Sequence, residues 1–524
     1  MASDSGFAVV TWTRRTRGPA VVPAGNLPSL AKLRNSRRRS NQKHLRQREL
    51  PSFAPRQRWA PVNRPQPPTE EALPQVEYSA TVGCTLNQEV KARLLTSMHA
   101  GRLVVVCGAG LSMAPPSNLP SAKQVAQVCF DEYQSTADPQ CDPSLRDHLE
   151  GLAEFFATRN MLHTVFIESL VPWSAFVRPS NPGHAAIADF LITRAAAAGL
   201  SSNYDALIER RAWDYGAAFK ASLDGDEATV VNRTQSPLLK LHGCAVRDPQ
   251  STVWAPAQLQ DPTVAARIEK ATVWMRAHLR EKDLLVIGFW TDWDYLNHVI
   301  GSAMRDVHPI SVTVVDLASA DQLQQKAPHL WTLAQAPQVT FTHVQESGAD
   351  ILDELRRAFS MSYLQRVLKM GQATFEEVTG TTCNPAWLQM ATFDSETLYG
   401  WRRDAEGVPS GTPATRNQPA IGEALGYFHL LLRRAGAEQL AEGYRLHDRT
   451  IRVINGASRV LSSLRAQFVE APSIVVSDIV VAVGAMDLAV PPNVVRAGRV
   501  GDVIRPAASG KWLDMQKACA ELGV

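Results

Sequence analysis

The chain has 524 residues, 45% of them hydrophobic, with 54 Lys+Arg against 51 Asp+Glu and seven cysteines. This composition excludes a fibrous or wholly disordered protein and leaves material for a sizeable core in about two to four domains of roughly 150 residues. The net charge of +3 conceals an asymmetry: residues 1–66 hold fourteen Lys/Arg against only Asp4 and Glu49, giving +12, so residues 67–524 carry −9.

Residues 1–75 are rich in Arg and Pro, including Arg37-Arg38-Arg39 and a proline run over 61–68, and they show no sustained helical or strand period. A disordered basic arm is expected. Its charge suits a polyanion such as nucleic acid. Phe7, Trp12, Phe53 and Trp59 are too sparse for base stacking, and an inert extension is the alternative reading. Within residues 86–98, Val90, Leu94, Leu95 and Met98 share one face at helical spacing. Residues 102–107 then form a short β-branched run that ends in Gly108-Ala109-Gly110, and Val125, Val128 and Cys129 mark a helix beyond it. Further buried strands are expected at 238–241, 284–287, 312–315 and 339–342, with a helix at 263–279. Such alternation argues for an α/β fold, a parallel sheet covered by helices on both faces.

After residue 361 the texture changes. Trp387, Trp401, Arg402 and Arg403 precede a Gly/Pro/Thr-rich loop at 407–419, a helical pattern at 420–435 and β-rich runs at 451–454 and 479–483. A smaller α+β domain is expected here, with Trp401 to Arg403 either a partner surface or a packed seam. The organisation is then an arm (1–75), an α/β domain (76–360) and a C-terminal accessory or assembly domain (361–524). The most apolar stretch, 474–490, is broken by Asp478 and Asp487 and is shorter than the ~20 clean residues of a membrane span, so it reads as buried strands. Cys84, Cys107, Cys129, Cys141, Cys244, Cys383 and Cys519 contain no pair two to four residues apart, so no zinc ribbon is expected. Their odd number, with no apolar leader, fits a reducing cytoplasm.

A glycine turn between a buried strand and a helix lets backbone approach a phosphate, although many αβ proteins use small residues merely to turn tightly. Five blocks occur in order: Gly108-Ala109-Gly110-Leu111-Ser112, Asn118-Leu119-Pro120, Pro182-Gly183-His184, Ser202-Asn203-Tyr204-Asp205 and Leu239-Lys240-Leu241-His242-Gly243. With Val286-Ile287-Gly288 and a strand ending at Asp316, this order resembles the sirtuin family over about residues 100–320. The resemblance implies a Rossmann-like domain that takes NAD. It places Asn203 beside the nicotinamide ribose and His242 on the ribose hydroxyls as a base. Gly108, Ala109, Gly110, Ser112, Asn118, Asp205, Gly288, Phe289 and Asp316 would surround the dinucleotide, and His184 would pack rather than react. Cleavage of the nicotinamide–ribose bond generates a cationic sugar centre, for which an oriented amide and a base working near neutral pH are suited. Read in isolation, Asn203 and Asp205 also fit a turn or helix cap, His242 a satisfied histidine at a strand end, and Asp292 and Asp294 either a ribose contact or a cap.

The chain also departs from the family pattern. Residues 244–285 contain only Cys244, so the four-cysteine zinc module of the deacylases is missing; Ser121, Ala122 and Lys123 stand where acidic, aromatic and arginine residues are usual; and Phe289-Trp290 would crowd an acyl-lysine channel. What the resemblance then implies is a zinc-free NAD hydrolase similar to the effectors of bacterial antiviral defence. Such an enzyme, expected as a homo-oligomer, would rest inactive until relieved by assembly or by an activating partner such as a HerA-type ATPase or a short Argonaute. The alternatives are an NAD-dependent protein deacylase or ADP-ribosyltransferase, and a non-catalytic scaffold with a nucleic-acid-binding arm.

Overall fold

The computed structural model describes residues 86–217, 238–289, 299–302, 308–409, 422–468, 477–487 and 510–524. The basic arm, Cys84, Trp290, Asp292, Asp294, most of the 407–419 loop and both ends of the 474–490 stretch lie outside the described residues. The first sheet comprises β1 (Leu103–Cys107), β2 (Ala196–Ser201), β3 (Leu238–Lys240), β4 (Asp283–Ile287), β5 (Ser311–Asp316) and β6 (Thr340–Gln345). All neighbours are parallel, in the order β3-β2-β1-β4-β5-β6. This is the doubly wound arrangement, in which the chain reverses its direction of travel between β1 and β4 and opens a crevice at the carboxyl ends of those strands.

Helices cover both faces. They are α1 (Gln88–His99), α2 (Ala109–Met113), α3 (Ala122–Thr136), α4 (Leu149–Ala157), α5 (Pro182–Ile192), α6 (Leu207–Asp214), α7 (Pro262–Leu279), α8 (Ala320–Lys326) and α9 (Pro328–Ala334). Every residue of β1 is buried. Val104 and Val106 enter one core with Phe130, Phe156, Phe166 and Trp254, whereas Leu103, Val105 and Cys107 enter the other with Ile187, Phe190, Leu191 and Leu355. The two-residue period of a strand delivers its side chains to two separate cores in this way. The helix expected after the glycine turn is α3; of the three residues that marked it, Val125 and Cys129 are buried and Val128 is 53% exposed. The face of α3 that packs carries Val125, Ala126, Cys129, Phe130 and Tyr133.

β2 was not foreseen, because Ala-Ala-Ala-Gly-Leu-Ser has little intrinsic strand preference. Pairing with β1 on one side and β3 on the other makes it a strand. The small residues leave room for α5, which buries ten of its eleven residues. α5 begins with Pro182 behind Asn181, whose Oδ1 accepts from His184 N at 3.1 Å while His184 Nδ1 accepts from Asn181 N at 3.1 Å. A histidine here completes the reciprocal cap usually made by Glu or Gln.

A single helix, α10 (Gly348–Thr379), serves two cores. Its first half gives Ile351, Leu352, Leu355 and Phe359 to the first sheet, and its second half gives Val367, Leu368 and Phe375 to the C-terminal core. The expected boundary at 360/361 falls inside this helix. Beyond it come α11 (Ser395–Glu406), α12 (Glu423–Arg434), β7 (Glu438–Leu440), β8 (Gly443–Leu446), β9 (Arg449–Asn455), α13 (Leu461–Phe468), β10 (Ile479–Val483), β11 (Lys511–Asp514) and α14 (Met515–Leu522). Their sheet runs β11-β10-β9-β8-β7, parallel through β9, β10 and β11 and antiparallel through β7, β8 and β9. α10 and α12 approach so closely that a Cβ at Gly371 would stand 2.0 Å from Tyr427 N.

The join between the two regions is charged and buried. Asp189 on α5 accepts from Arg356 Nε at 3.0 Å and from Arg402 Nη2, all three side chains being inaccessible to solvent. Arg356 also donates to Glu396, and both guanidinium groups lie over the Tyr399 ring. Trp401, Arg402 and Arg403 are all buried, which makes this segment a packed seam instead of a partner surface. Among the described residues, no helix is long and apolar enough to cross a membrane.

Candidate functional site

The carboxyl ends of β1, β2, β3, β4 and β5 converge on a cavity of about 700 Å³, within the roughly 300–1,000 Å³ range of small-molecule and cofactor sites. Backbone bonds set its frame. Ser202 N donates to Cys107 O at 3.1 Å, Leu241 N to Ser201 O at 3.0 Å, Gly108 N to Ile287 O at 3.0 Å and Gly288 N to Val315 O at 3.0 Å. The turns after β1 and β4 are thereby stitched together. Gly110 N donates to Gly288 O at 3.0 Å, and a Cβ on Gly110 would lie 2.7 Å from Gly288 Cα. Glycine is needed where two backbones touch in this way.

On the cavity wall, Ser112 is the hub of a buried polar cluster. Its Oγ donates to Asp205 Oδ2 at 2.9 Å and accepts from Asn203 Nδ2 at 3.0 Å. His184 Nε2 lies 3.0 Å away. Because His184 Nδ1 already accepts from Asn181 N, Nε2 carries the ring proton and donates to Ser112. Burial pushes the His184 pKa down to about 4, with Asp205 opposing and Lys240 assisting, so the ring is neutral at pH 7. The remaining Asp205 oxygen accepts from Leu207 N at 3.1 Å at the start of α6. Asp205 therefore satisfies the first N–H of a helix and holds Ser112 at once. Asn203 is only 8% exposed, and its Oδ1 has no hydrogen-bond partner among the described residues. A buried carbonyl left in this state costs stability unless a ligand or water supplies the donor.

His242 follows β3. Its Nδ1 is 2.9 Å from Ser202 O, and a carbonyl can only accept, so Nδ1 carries the proton and Nε2 is the basic nitrogen. Burial, aided by Arg267 and opposed by the Ser202 carbonyl, lowers its pKa to about 4. The ring lies 5.7 Å from that of Tyr204, which stacks on Trp254 at 4.1 Å and 13°. Tyr204 Oη donates to Val253 O at 2.6 Å, and Trp254 Nε1 to Thr252 Oγ1 at 2.6 Å. Two anchored aromatic rings thus set the tilt of the imidazole.

Ala109, Gly110, Ser112, Asn203, Asp205, His242, Gly288, Phe289 and Asp316 all line this one cavity. Gly108 sits behind the wall, where a Cβ would meet Phe289 Cα at 2.6 Å. Asn118 is exposed in a left-handed turn with φ 46° and is not part of the lining, although Leu119 and Pro120 beside it are. Ser121, Ala122 and Lys123 also line the cavity; Ser121 caps α3 and Lys123 Nζ pairs with Asp147 at 2.7 Å. Sequence reasoning did not single out Lys240. Buried in β3, it donates to the Asp205 and Tyr204 carbonyls and pairs with Glu209 at 3.3 Å. Burial opposes its charge, but Glu209 and Asp205 outweigh that, raising its pKa to about 12. A lysine between two leucines of a buried strand was the available signal. Among the described residues, no three His, Cys, Asp or Glu side chains converge as a metal site.

Residues 198–337 match the family model for the SIR2-like domain. That span contains Asn203, Asp205, His242, Gly288 and Asp316 and begins after the Ser112 turn. No curated protein matches the chain. Among solved structures, a Sir2 homolog–NAD complex is 14% identical over 54% of this chain and 97% of its own, with a TM-score of 0.30. A mutant Sir2 homologue with ADP-ribose gives 14% identity, 53% and 98% coverage and a TM-score of 0.29. A structure concerned with the mechanism and regulation of Sir2 enzymes gives 13%, 52%, 100% and 0.28.

Proposed function

We propose that this chain, which contains a SIR2-like domain, is an NAD-utilising enzyme that hydrolyses the nicotinamide–ribose bond to give nicotinamide and ADP-ribose. The observation that carries the reading is the pairing, in one cavity, of a buried Asn203 Oδ1 with no partner among the described residues and a His242 whose basic nitrogen is Nε2. NAD, when bound, supplies a positively charged and therefore already activated leaving group. Asn203 orients the sugar: Ser112 fixes its Nδ2, so Oδ1 is the atom that accepts from a sugar hydroxyl. His242 Nε2 takes a proton from a hydroxyl, which a neutral imidazole at pH 7 is ready to do. Phe289, buried against the same cavity, narrows the space for an acyl-lysine side chain, which favours water as acceptor over a peptide.

The reading extends to a cytoplasmic effector of bacterial antiviral defence, held inactive until it assembles with further copies of itself or with a partner such as a HerA-type ATPase or a short Argonaute. Unchecked loss of a central cofactor would be toxic, which gives such control a physical motive. The basic arm is the segment whose charge would draw nucleic acid, since residues 67–524 carry −9.

Purified full-length chain is incubated with NAD, with and without an acylated peptide, and nicotinamide release is followed. Release is expected without peptide and is expected to fall on the order of 100-fold or more in Asn203→Ala, the scale of losing one oriented polar group in an active site. Full activity in that variant, or release strictly dependent on peptide, would sink the hydrolase reading; the second outcome supports a deacylase or transferase.

A further inference from the structure

We propose that Lys240 is a positioning residue for the hydrolysis: its ammonium, buried outside the cavity, fixes the backbone that carries Asn203 and Asp205 against the strand that leads to His242. The inference rests on the NAD reading above. Lys240 stands between Leu239 and Leu241, all three are buried, and Lys240 itself is 1% exposed. Taking an ammonium out of water costs stability unless partners offset it, and an apolar residue would pack in such a strand without that cost. The partners here are specific. Lys240 Nζ donates to Asp205 O, reaches Tyr204 O at 3.5 Å and pairs with Glu209 at 3.3 Å. The two carbonyls belong to the residues that follow Asn203, and Glu209 stands in the first turn of α6.

Each residue tied in this way has its own task at the cavity. Asp205 holds Ser112 Oγ at 2.9 Å, and that oxygen receives Asn203 Nδ2 at 3.0 Å. The Tyr204 ring lies 5.7 Å from the imidazole of His242. Main-chain bonds hold the loop on either side, Leu241 N donating to Ser201 O at 3.0 Å and Ala245 N to Tyr204 O at 2.8 Å, and the lysine side chain supplies the tie at Asp205. Lys240 is not among the residues that line the cavity, so it acts on the reaction only through those that do. A methionine would fill much of the same space but donate nothing. A displacement of about 1 Å between Asn203 and His242 is enough to lower a rate roughly 100-fold.

The kcat and KM for nicotinamide release are measured on the full chain and on two variants, each rate normalised to the folded fraction found by urea unfolding. Lys240→Met is expected to lower kcat by about 10- to 100-fold with KM within about threefold, the pattern of a lost alignment in the transition state. Lys240→Met combined with Glu209→Gln also removes the carboxylate charge left without its lysine. This double variant is expected to unfold at a higher urea concentration than Lys240→Met alone while its kcat stays low, and it is the variant to read if Lys240→Met alone does not fold. A kcat per folded molecule within about twofold of the unsubstituted chain in either variant, or a kcat that recovers together with stability in the double variant, overturns the positioning role while the NAD reading stands. Absence of nicotinamide release from the unsubstituted chain overturns both.

Discussion

A single hydroxyl, that of Ser112, joins three segments of the candidate site. It has one proton, and Asp205 accepts it, so Asn203 and His184 must both donate to the oxygen. This directionality fixes the amide orientation of Asn203 and the tautomer of His184 together, and it leaves Asn203 Oδ1 facing an unmet acceptor role. His242 is set by a separate bond to Ser202 O. The consequence is testable through pH. Because burial lowers its pKa to about 4, His242 is unprotonated at neutral pH and loses its basic nitrogen only as pH falls through that value. The kcat/KM for nicotinamide release should be insensitive to this group from pH 8 down to about 5 and fall near 4, measured in brief assays after dilution from neutral buffer. An acid limb centred near 6.5 would show that water reaches the ring and that burial does not control it.

α5 couples the site to the C-terminal region. It starts at the cap containing His184, and five residues later Asp189 receives Arg356 and Arg402. At 3.6 residues per turn those two side chains leave the helix about 140° apart, so one turn faces Ser112 and another faces the charged seam. Removing the carboxylate would leave two guanidinium groups buried without their shared counter-charge. Asp189→Ala is expected to destabilise the chain by about 3–5 kcal/mol, the usual consequence of breaking one side of a buried pair, as read from urea unfolding at pH 7. A loss below about 1 kcal/mol would show that the two guanidinium groups regain water or rely on Glu396, beside Arg356, and on Glu406, 3.9 Å from Arg402 Nε. α10 was legible from sequence only as a change of texture near residue 361. That a single helix crosses the expected boundary depends on both cores accepting its two halves, which no local pattern records.

At the scale of the whole molecule, burial holds three deeply buried histidines of the described residues neutral, and it also lowers the pKa of the more exposed His99. His184 and His242 are lowered to about 4, and His429, 2.9 Å from Tyr444 Oη, is lowered to about 3. Unfolded, each has an ordinary pKa near 6.5. Below that value the unfolded state binds protons that the folded state refuses, so stability rises with pH in this window and drops as pH falls from 6.5 toward 4. If all three contribute, the slope reaches about 4 kcal/mol per pH unit. The urea midpoint should therefore shift to lower concentrations between pH 6.5 and 5; a midpoint flat across that range would show that these rings are hydrated in the folded chain.

The fold was legible where burial alone dictates residue type. Strands covered on both faces require unbroken apolar runs, and the runs expected at 102–107, 284–287 and 312–315 correspond to β1, β4 and β5 within a residue or so at either end. β2 escaped because its residues are chosen for the space that α5 leaves, a property of the packed pair and not of the segment. At the site, the ordered blocks disclosed the amide, imidazole and carboxylates at strand ends, since those residue types are read directly from the sequence. Their hydrogen-bond directions, tautomers and acidities were decided only by tertiary structure, because each depends on a partner remote in the chain. Ser112 meets Asn203 across 91 residues, and His242 meets Ser202 across 40. The sequence by itself determined which chemical groups are present and on which strands; folding decided which of them share a proton, and that sharing sets what the cavity can do.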